Sequence, residues 1–218
     1  QSTSLYIATK LGRRQDGSYG WPQNFTYDTM KRQVEESLER LQVSQLFLEQ
    51  LHCIPTEVMA AGHVFDHLRR LQQEGLILHF GASVETRDEA LLCMEQEGLA
   101  SLQIIFNLFR QTMADAFFSK AKEKHIALIA RVPLASGLLT GKFSASTVFP
   151  PSDHRNYNAD GKVFNTGETF SGIEFSKGVQ LSKEIAALLP DDRTAQWSLR
   201  WILDHPEITT VIPGASRP

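Results

Sequence analysis

The chain has 218 residues and a formal net charge of −3, and it lacks an uninterrupted apolar run near the ~20 residues of a membrane span. Its 22 basic and 25 acidic residues provide no global positive field for nucleic acid or an anionic membrane. Cys53 and Cys93 form neither a disulfide framework nor a metal-ligand pair, which favours a reducing compartment. We therefore expect a cytoplasmic protein with no nucleic-acid or membrane partner and no metal.

Short apolar runs alternate with amphipathic stretches along the whole chain. The runs lack in/out alternation, which predicts strands of a parallel sheet covered on both faces. The predicted strands are residues 5–10, 45–52, 76–83, 102–108, 126–134 and 209–216. Apolar residues at helical spacing lie between them, and Thr86 with Glu89 forms a capping-box pattern. This order predicts an α/β fold.

Two architectures accept this pattern: an open doubly wound sheet and a (β/α)8 TIM barrel. The open sheet requires a G-x-G-x-x-G turn after its first strand, and the sequence has none. A complete barrel typically has eight strands in ~250 residues. The six predicted strands therefore indicate a single barrel domain over residues 1–218, incomplete at both ends and lacking its first two βα units.

Residues 143–172 interrupt the alternation of predicted strands and helices, and they are rich in proline, asparagine and glycine. A loop of this length in a compact domain is usually functional or disordered. Its five phenylalanine and tyrosine residues argue against disorder. We interpret the segment as a lid-like loop.

Candidate reactive groups lie at the carboxyl ends of the predicted strands, where barrel active sites form. Lys10 and His52 each close an apolar run, and together they would perturb one another's pKa over one small site. Alone, each is more often a lysine reaching the surface or a hydrogen-bonded core histidine. Ser83 and Gln103 add uncharged donors and acceptors suited to an amide or a ribose.

The last two predicted strands end in phosphate-binding patterns. Arg131 and Lys142 flank a glycine-bearing turn, where backbone N–H groups and a lysine suit phosphates. The final strand leads into Gly214, Ser216 and Arg217. Because the loops after strands seven and eight are the frequent phosphate site of barrels, these two strands are predicted to be the seventh and eighth.

Taken together, these segments resemble the aldo/keto reductases, which are NADPH-dependent oxidoreductases built on a (β/α)8 barrel. The resemblance runs in order along essentially the whole chain, from the third barrel strand to the eighth. It is carried by Ile7-Ala8-Thr9-Lys10, Leu51-His52, Gly81-Ala82-Ser83, Leu102-Gln103 with Phe106-Asn107, the turn from Pro133 to Lys142, and Val211-Ile212-Pro213-Gly214-Ala215-Ser216.

The resemblance implies reduction of an aldehyde or ketone by hydride from NADPH. Lys10 and His52 would be two members of a catalytic Asp, Tyr, Lys, His tetrad, whose Asp and Tyr are expected before Gln1. It further implies that the cofactor is held by Ser83, Gln103, Arg131, Pro133, Leu134, Ser136, Gly137, Leu139, Lys142, Gly214, Ser216 and Arg217.

The sequence departs from the family's commonest pattern at two of these places. Val84 stands where many members have an asparagine that shares the carboxamide, and Arg131 stands where many have an aromatic ring that stacks on nicotinamide. A planar guanidinium can also stack. The alternatives are a non-catalytic NADPH-binding regulatory relative and a phosphate-binding barrel lyase or isomerase.

Overall fold

The computed structural model describes residues 5–13, 24–161 and 167–214, without the side chains of residues 115 and 116. Within this part of the chain the strands are β1 (Ala8–Leu11), β2 (Leu46–His52), β3 (Ile77–Ser83), β4 (Leu99–Ile105), β5 (Ala127–Arg131) and β6 (Ile208–Ile212). The helices are α1 (Tyr27–Leu41), α2 (Thr56–Ala61), α3 (His63–Gln73), α4 (Arg87–Met94), α5 (Ala114–Glu123), α6 (His154–Tyr157), α7 (Phe175–Leu188) and α8 (Thr194–Leu203).

The strands make one sheet whose order is that of the chain, β1 to β6. The pairings of β1 with β2, β2 with β3, β3 with β4, and β5 with β6 are parallel. In the described part of the chain the sheet is open and six-stranded, so a closed barrel is not seen. The two further strands that closure would require stay a prediction.

The predicted positions of β2 and β3 are confirmed, whereas other strand limits were wrong. Strand β1 begins at Ala8 rather than at residue 5, and β4 spans Leu99–Ile105 rather than residues 102–108. Strand β5 ends at Arg131 and β6 ends at Ile212, both earlier than predicted. Strand β5 stops where the backbone turns away from the sheet, because Val132, which follows it, has a left-handed φ of 52°.

The chain divides into two compact units, the first comprising residues 1–103 and 119–127 and the second residues 104–118 and 128–218. In the first unit, α1 begins at the N-cap Thr26 and buries Met30 and Val34. The predicted capping box of Thr86 and Glu89 is present at the start of α4. Helix α1 packs against β1, the strand of Lys10, and α3 packs against β3, the strand of Ser83.

The second unit has a hydrophobic cluster beyond the end of β5. Ala135, Leu138, Leu139, Phe170 and Val179 are buried in it. Phe143 and Phe149 of the predicted loop pack against the cluster, and the ring centroids of Phe149 and Phe170 are 5.8 Å apart. The described part of residues 143–172 is thus attached to this unit by aromatic packing.

Candidate active site

Lys10 and His52 line the same cavity of about 200 Å³ in the first unit. Lys10 lies within β1 and His52 is the last residue of β2. Both side chains are half-buried. The cavity is also lined by Leu11, Arg13, Gln33, Ser37 and Arg40. The structure therefore brings together the two strand-end groups that the sequence singled out.

His52, Ser83 and Gln103 lie side by side across three neighbouring strands. In the parallel register His52 is opposite Ser83, and Ser83 is opposite Gln103. Residues that are register partners face the same side of a sheet. Ser83 and Gln103 are almost fully buried, with 1% and 4% of their surfaces exposed. This row of polar side chains is referred to below as the polar row.

The polar row presents one donor and one acceptor that match a primary carboxamide. The Ser83 Oγ lies 3.4 Å from the Cys53 Sγ, and its hydroxyl hydrogen can turn toward a carbonyl oxygen. Gln103 donates from Nε2 to Gln50 Oε1 at 3.2 Å, and among the described residues no hydrogen bond reaches its Oε1. A carboxamide offers a carbonyl oxygen and an NH2 group to these two atoms.

Val84 contributes no polar atom to this arrangement. Its side chain is fully buried, and its backbone N–H donates to the carbonyl oxygen of Gln103 at 3.0 Å. The place of the usual asparagine is therefore filled by a core residue. Ser83 and Gln103 are the side chains left in the row to contact an amide.

Glu49 is a buried carboxylate on the opposite face of β2. It is 1% exposed, and neither carboxylate oxygen has a hydrogen-bond partner among the described residues. Burial raises the pKa of the Glu49 carboxyl to about 8, although the backbone of Gln50 and the charge of Lys10 act to lower it. Glu49 is therefore mainly protonated at neutral pH.

The turn from Pro133 to Lys142 follows β5 in the second unit. Ala135, Ser136 and Gly137 have consecutive left-handed φ angles of 48°, 56° and 99°, and such runs are rare for residues other than glycine. Backbone N–H groups of residues 135, 137, 139 and 141 donate to the carbonyl oxygens of Val132, Leu134 and Leu138. These groups are engaged in the turn itself rather than directed at a phosphate.

Side chains of the same turn are distributed between core and surface. Pro133 and Leu139 are buried, and Leu139 belongs to the hydrophobic cluster. Leu134 and Gly137 are half-buried, and Lys142 is exposed. Among these residues Lys142 is the one with a charged side chain, and that side chain is exposed to solvent.

Two residues that the resemblance assigns to the cofactor contact residues 167–172. Arg131 donates from Nη1 to Glu168 Oε2 at 2.7 Å, and Ser136 accepts at Oγ from the backbone N–H of Phe170 at 3.2 Å. A third contact joins Asn107 Nδ2 to Ser171 Oγ at 3.0 Å. The end of the predicted lid-like loop is thus attached to the ends of the strands.

Asn107 is fully engaged in this attachment. Its Nδ2 also donates to the carbonyl oxygen of Val132 at 2.9 Å, while its Oδ1 accepts from the backbone N–H groups of Phe109 and Arg110. Asn107 has the same kind of side-chain amide as Gln103. It closes a turn, however, and has no polar atom left to bind an amide or a ribose.

The remaining sequence-predicted positions lie at the end of β6. Gly214 follows the strand and is exposed, and an added Cβ there would meet nothing within 4 Å. Ser216 and Arg217 lie outside the described residues. Their proposed contact with a 2′-phosphate rests on the sequence.

Among the described residues, no group of three or more histidine, cysteine, aspartate or glutamate side chains is arranged to hold a metal ion. No helix in this part of the chain has the length and apolarity needed to cross a membrane.

Comparison with known proteins decides the family. The model of the aldo/keto reductase family matches residues 1–218. The chain belongs to the aldo/keto reductase family. It is similar to the uncharacterized oxidoreductase YqkF of Bacillus subtilis, at 29% identity over 216 residues covering 98% of this chain and 65% of the relative. It is also similar to the aldo-keto reductase YhdN of that organism, at 27% identity over 85% of this chain and 54% of the relative.

A solved structure agrees with this assignment. The glycerol dehydrogenase of Gluconobacter oxydans superposes with a TM-score of 0.72 at 25% identity, covering 97% of this chain and 63% of that protein. The fold is therefore the TIM-barrel-type α/β fold of the aldo/keto reductases, an oxidoreductase family. This chain spans 54% to 65% of the length of these relatives.

Sequence reasoning about this aldo/keto reductase missed two residues of the site. Gln50 precedes His52 by two positions, and alternation along a strand places such residues on the same face of β2. This spacing alone could have predicted that Gln50 lies on the face of His52. Glu168 is 37 residues from Arg131 in the chain, and no local pattern connects them.

Proposed function

We propose that this protein is a cytoplasmic NADPH-dependent reductase of a small aldehyde or ketone. The main support is the polar row, in which Ser83 and Gln103 fit a carboxamide and His52 lies at the end of the next strand. Lys10 lines the same cavity as His52 and provides the positive charge that a carbonyl reduction uses.

The bound cofactor would supply a hydride to the carbonyl carbon. His52 would orient the substrate by donating a hydrogen bond to the carbonyl oxygen as negative charge develops there. The resemblance implies a tyrosine that donates a proton to this oxygen, giving the alcohol. Lys10 would stabilise the phenolate form of that tyrosine and depress its pKa from ~10.

NADPH oxidation on addition of a reactive aromatic aldehyde tests this function. Lys10→Met and His52→Gln should each lower kcat/KM by about a hundredfold or more, as expected for loss of acid–base assistance. Lys177→Met removes an exposed lysine of α7 and should have no effect. Binding of NADPH without oxidation would instead favour the non-catalytic regulatory relative, and absence of binding would contradict both.

Cofactor choice is proposed to depend on the residues after β6. An arginine fork at Arg217 meets a 2′-phosphate with charge-assisted hydrogen bonds, whereas a 2′-hydroxyl has no charge to meet it. Arg217→Ala should therefore weaken NADPH by about one to two decades and leave NADH nearly unchanged. Equal losses for both cofactors would remove Arg217 from the site.

The lid-like role of residues 143–172 is part of the same proposal. Closure over a bound cofactor would protect this segment from proteases. Limited proteolysis with and without NADPH should therefore show slower cleavage in the presence of cofactor. Equal rates would contradict a lid.

A further inference from the structure

Gln50 and Gln103 form a buried amide pair that spans three strands. They lie on β2 and β4, on either side of β3, and Gln103 Nε2 donates to Gln50 Oε1 at 3.2 Å. Strands two apart are separated by about 9.5 Å, so both long side chains are needed for the contact. Gly81, directly opposite Gln50 on β3, places no side chain between them.

This contact determines how Gln103 is presented. A glutamine amide is planar, with its NH2 group and its oxygen on opposite sides of the terminal carbon. Because the NH2 group of Gln103 is directed at Gln50, its Oε1 is directed away from Gln50. Its fixed position leaves Oε1 available as an acceptor in the polar row.

The other end of the Gln50 amide shows that the contact has a cost. Gln50 is 1% exposed, and its Nε2 has no hydrogen-bond partner among the described residues. A buried donor without a partner is unfavourable and calls for an explanation. A methionine of similar shape would fill the same volume without it. Unlike methionine, the Gln50 amide has an Oε1 that accepts the hydrogen bond from Gln103.

We propose that Gln50 is a positioning residue that holds the Gln103 amide with Oε1 toward the NH2 group of the nicotinamide carboxamide. The proposal rests on the proposed function, since it concerns the same cofactor. Gln50 itself makes no cofactor contact. It acts through the orientation of Gln103.

Binding of two cofactor forms by calorimetry tests this role. NADP⁺ carries the carboxamide, whereas its 3-acetylpyridine analogue has a methyl group in place of the NH2. Gln50→Met should weaken NADP⁺ by about threefold to tenfold, the value of one neutral hydrogen bond. The analogue should bind to Gln50→Met as it does to the wild type, because it has no NH2 group for Gln103 to accept from.

Two variants serve as matched controls. Glu49→Met is the same kind of substitution one residue earlier, on the opposite face of β2, and should leave the ratio of the two affinities unchanged. Gln50→Glu keeps the acceptor and should restore NADP⁺ affinity toward wild type. The proposal would be overturned if Gln50→Met weakened the binding of both cofactor forms equally, or of neither. It would also be overturned if Gln50→Glu bound NADP⁺ as weakly as Gln50→Met does.

A measurement on the cofactor-free protein keeps this test separate from the proposed function. The Gln103 side-chain NH2 protons in the wild type should be protected from hydrogen exchange in NMR spectra, and Gln50→Met should remove that protection. Rapid exchange in the wild type would overturn the positioning role. Protected Gln103 protons in a protein that binds neither cofactor form would instead overturn the proposed function.

Discussion

Arg131 and Glu168 form an ion pair with 2.7 Å between Nη1 and Oε2, and their side chains are only 9% and 22% exposed. The pair joins the end of β5 to the end of the lid-like loop. The sequence resemblance also aligns Arg131 with an aromatic residue that many members stack on nicotinamide. Any stacking by Arg131 would therefore occur with its guanidinium already held by a carboxylate.

A double-mutant cycle measures this pair. Because removal of one partner leaves a charge in a largely buried place, Arg131→Met and Glu168→Gln should be coupled by about 1–3 kcal/mol in urea denaturation. Arg200 and Asp204 are also 2.7 Å apart but are 70% and 55% exposed. Their cycle should give a coupling near zero, and equal couplings for the two pairs would contradict the prediction.

Glu49 should make stability depend on pH. Burial raises its pKa in the folded state from 4.5 to about 8, so the unfolded chain ionises first as the pH rises. Stability should fall between these two pH values, with a slope of roughly 1.4 kcal/mol per pH unit where only the unfolded state is ionised.

Urea denaturation midpoints at several pH values between 5 and 8 check this slope. Glu49→Gln should give a flatter dependence than the wild type, because the amide does not ionise. Glu97→Gln removes an exposed carboxylate and should leave the wild-type slope. Parallel curves for the wild type and Glu49→Gln would show that Glu49 is ionised in the fold.

The two cysteines should differ in reactivity toward a thiol reagent. Burial raises the pKa of the Cys93 thiol to about 12, and the thiolate is the nucleophile. Cys53 is half-buried. We expect one thiol to react in the native protein and the second after unfolding. Cys53→Ser should abolish the native reaction, whereas Cys93→Ser should leave it. Rapid labelling of Cys93 would contradict its burial.

Gly81→Ala should destabilise the sheet. The added Cβ would overlap Ser101 Oγ and lie 2.6 Å from the Ser101 carbonyl oxygen. Such overpacking typically costs about 1–3 kcal/mol. Gly214→Ala meets open space and should leave the thermal midpoint unchanged. Ser101→Gly, added to Gly81→Ala, should recover only part of the lost stability, because the overlap with the backbone carbonyl remains. Full recovery would contradict the backbone overlap.

Local patterns predicted the elements whose signal is local. Strands β2 and β3 begin in apolar runs that end at His52 and Ser83, and the Thr86 capping box is contained in four residues. Strand β4 was placed too late because its start contains Ala100 and Ser101, which interrupt the apolar run. Its end was placed too late because Asn107 closes a turn through backbone contacts that composition does not show.

The contacts of the candidate site also differ in whether a local sequence pattern could predict them. Strand ends predicted that Lys10 and His52 lie together, since parallel strands end at one edge of a sheet. The ion pair of Arg131 with Glu168 and the bond of Phe170 to Ser136 depend on how a distant segment folds back. Periodicity carries no information about such contacts.

Residues 170–172 repeat the left-handed backbone of residues 135–137, with φ angles of 51°, 59° and 77°. Steric contact with the backbone disfavours β-branched side chains at such positions. The mostly exposed residues 144–148 between the two turns are under no such restriction, and longer loops cost little additional closure entropy. We therefore expect that a peptide inserted at residues 144–148 will leave the fold intact. The same insertion in either left-handed turn should disrupt the packing of the loop.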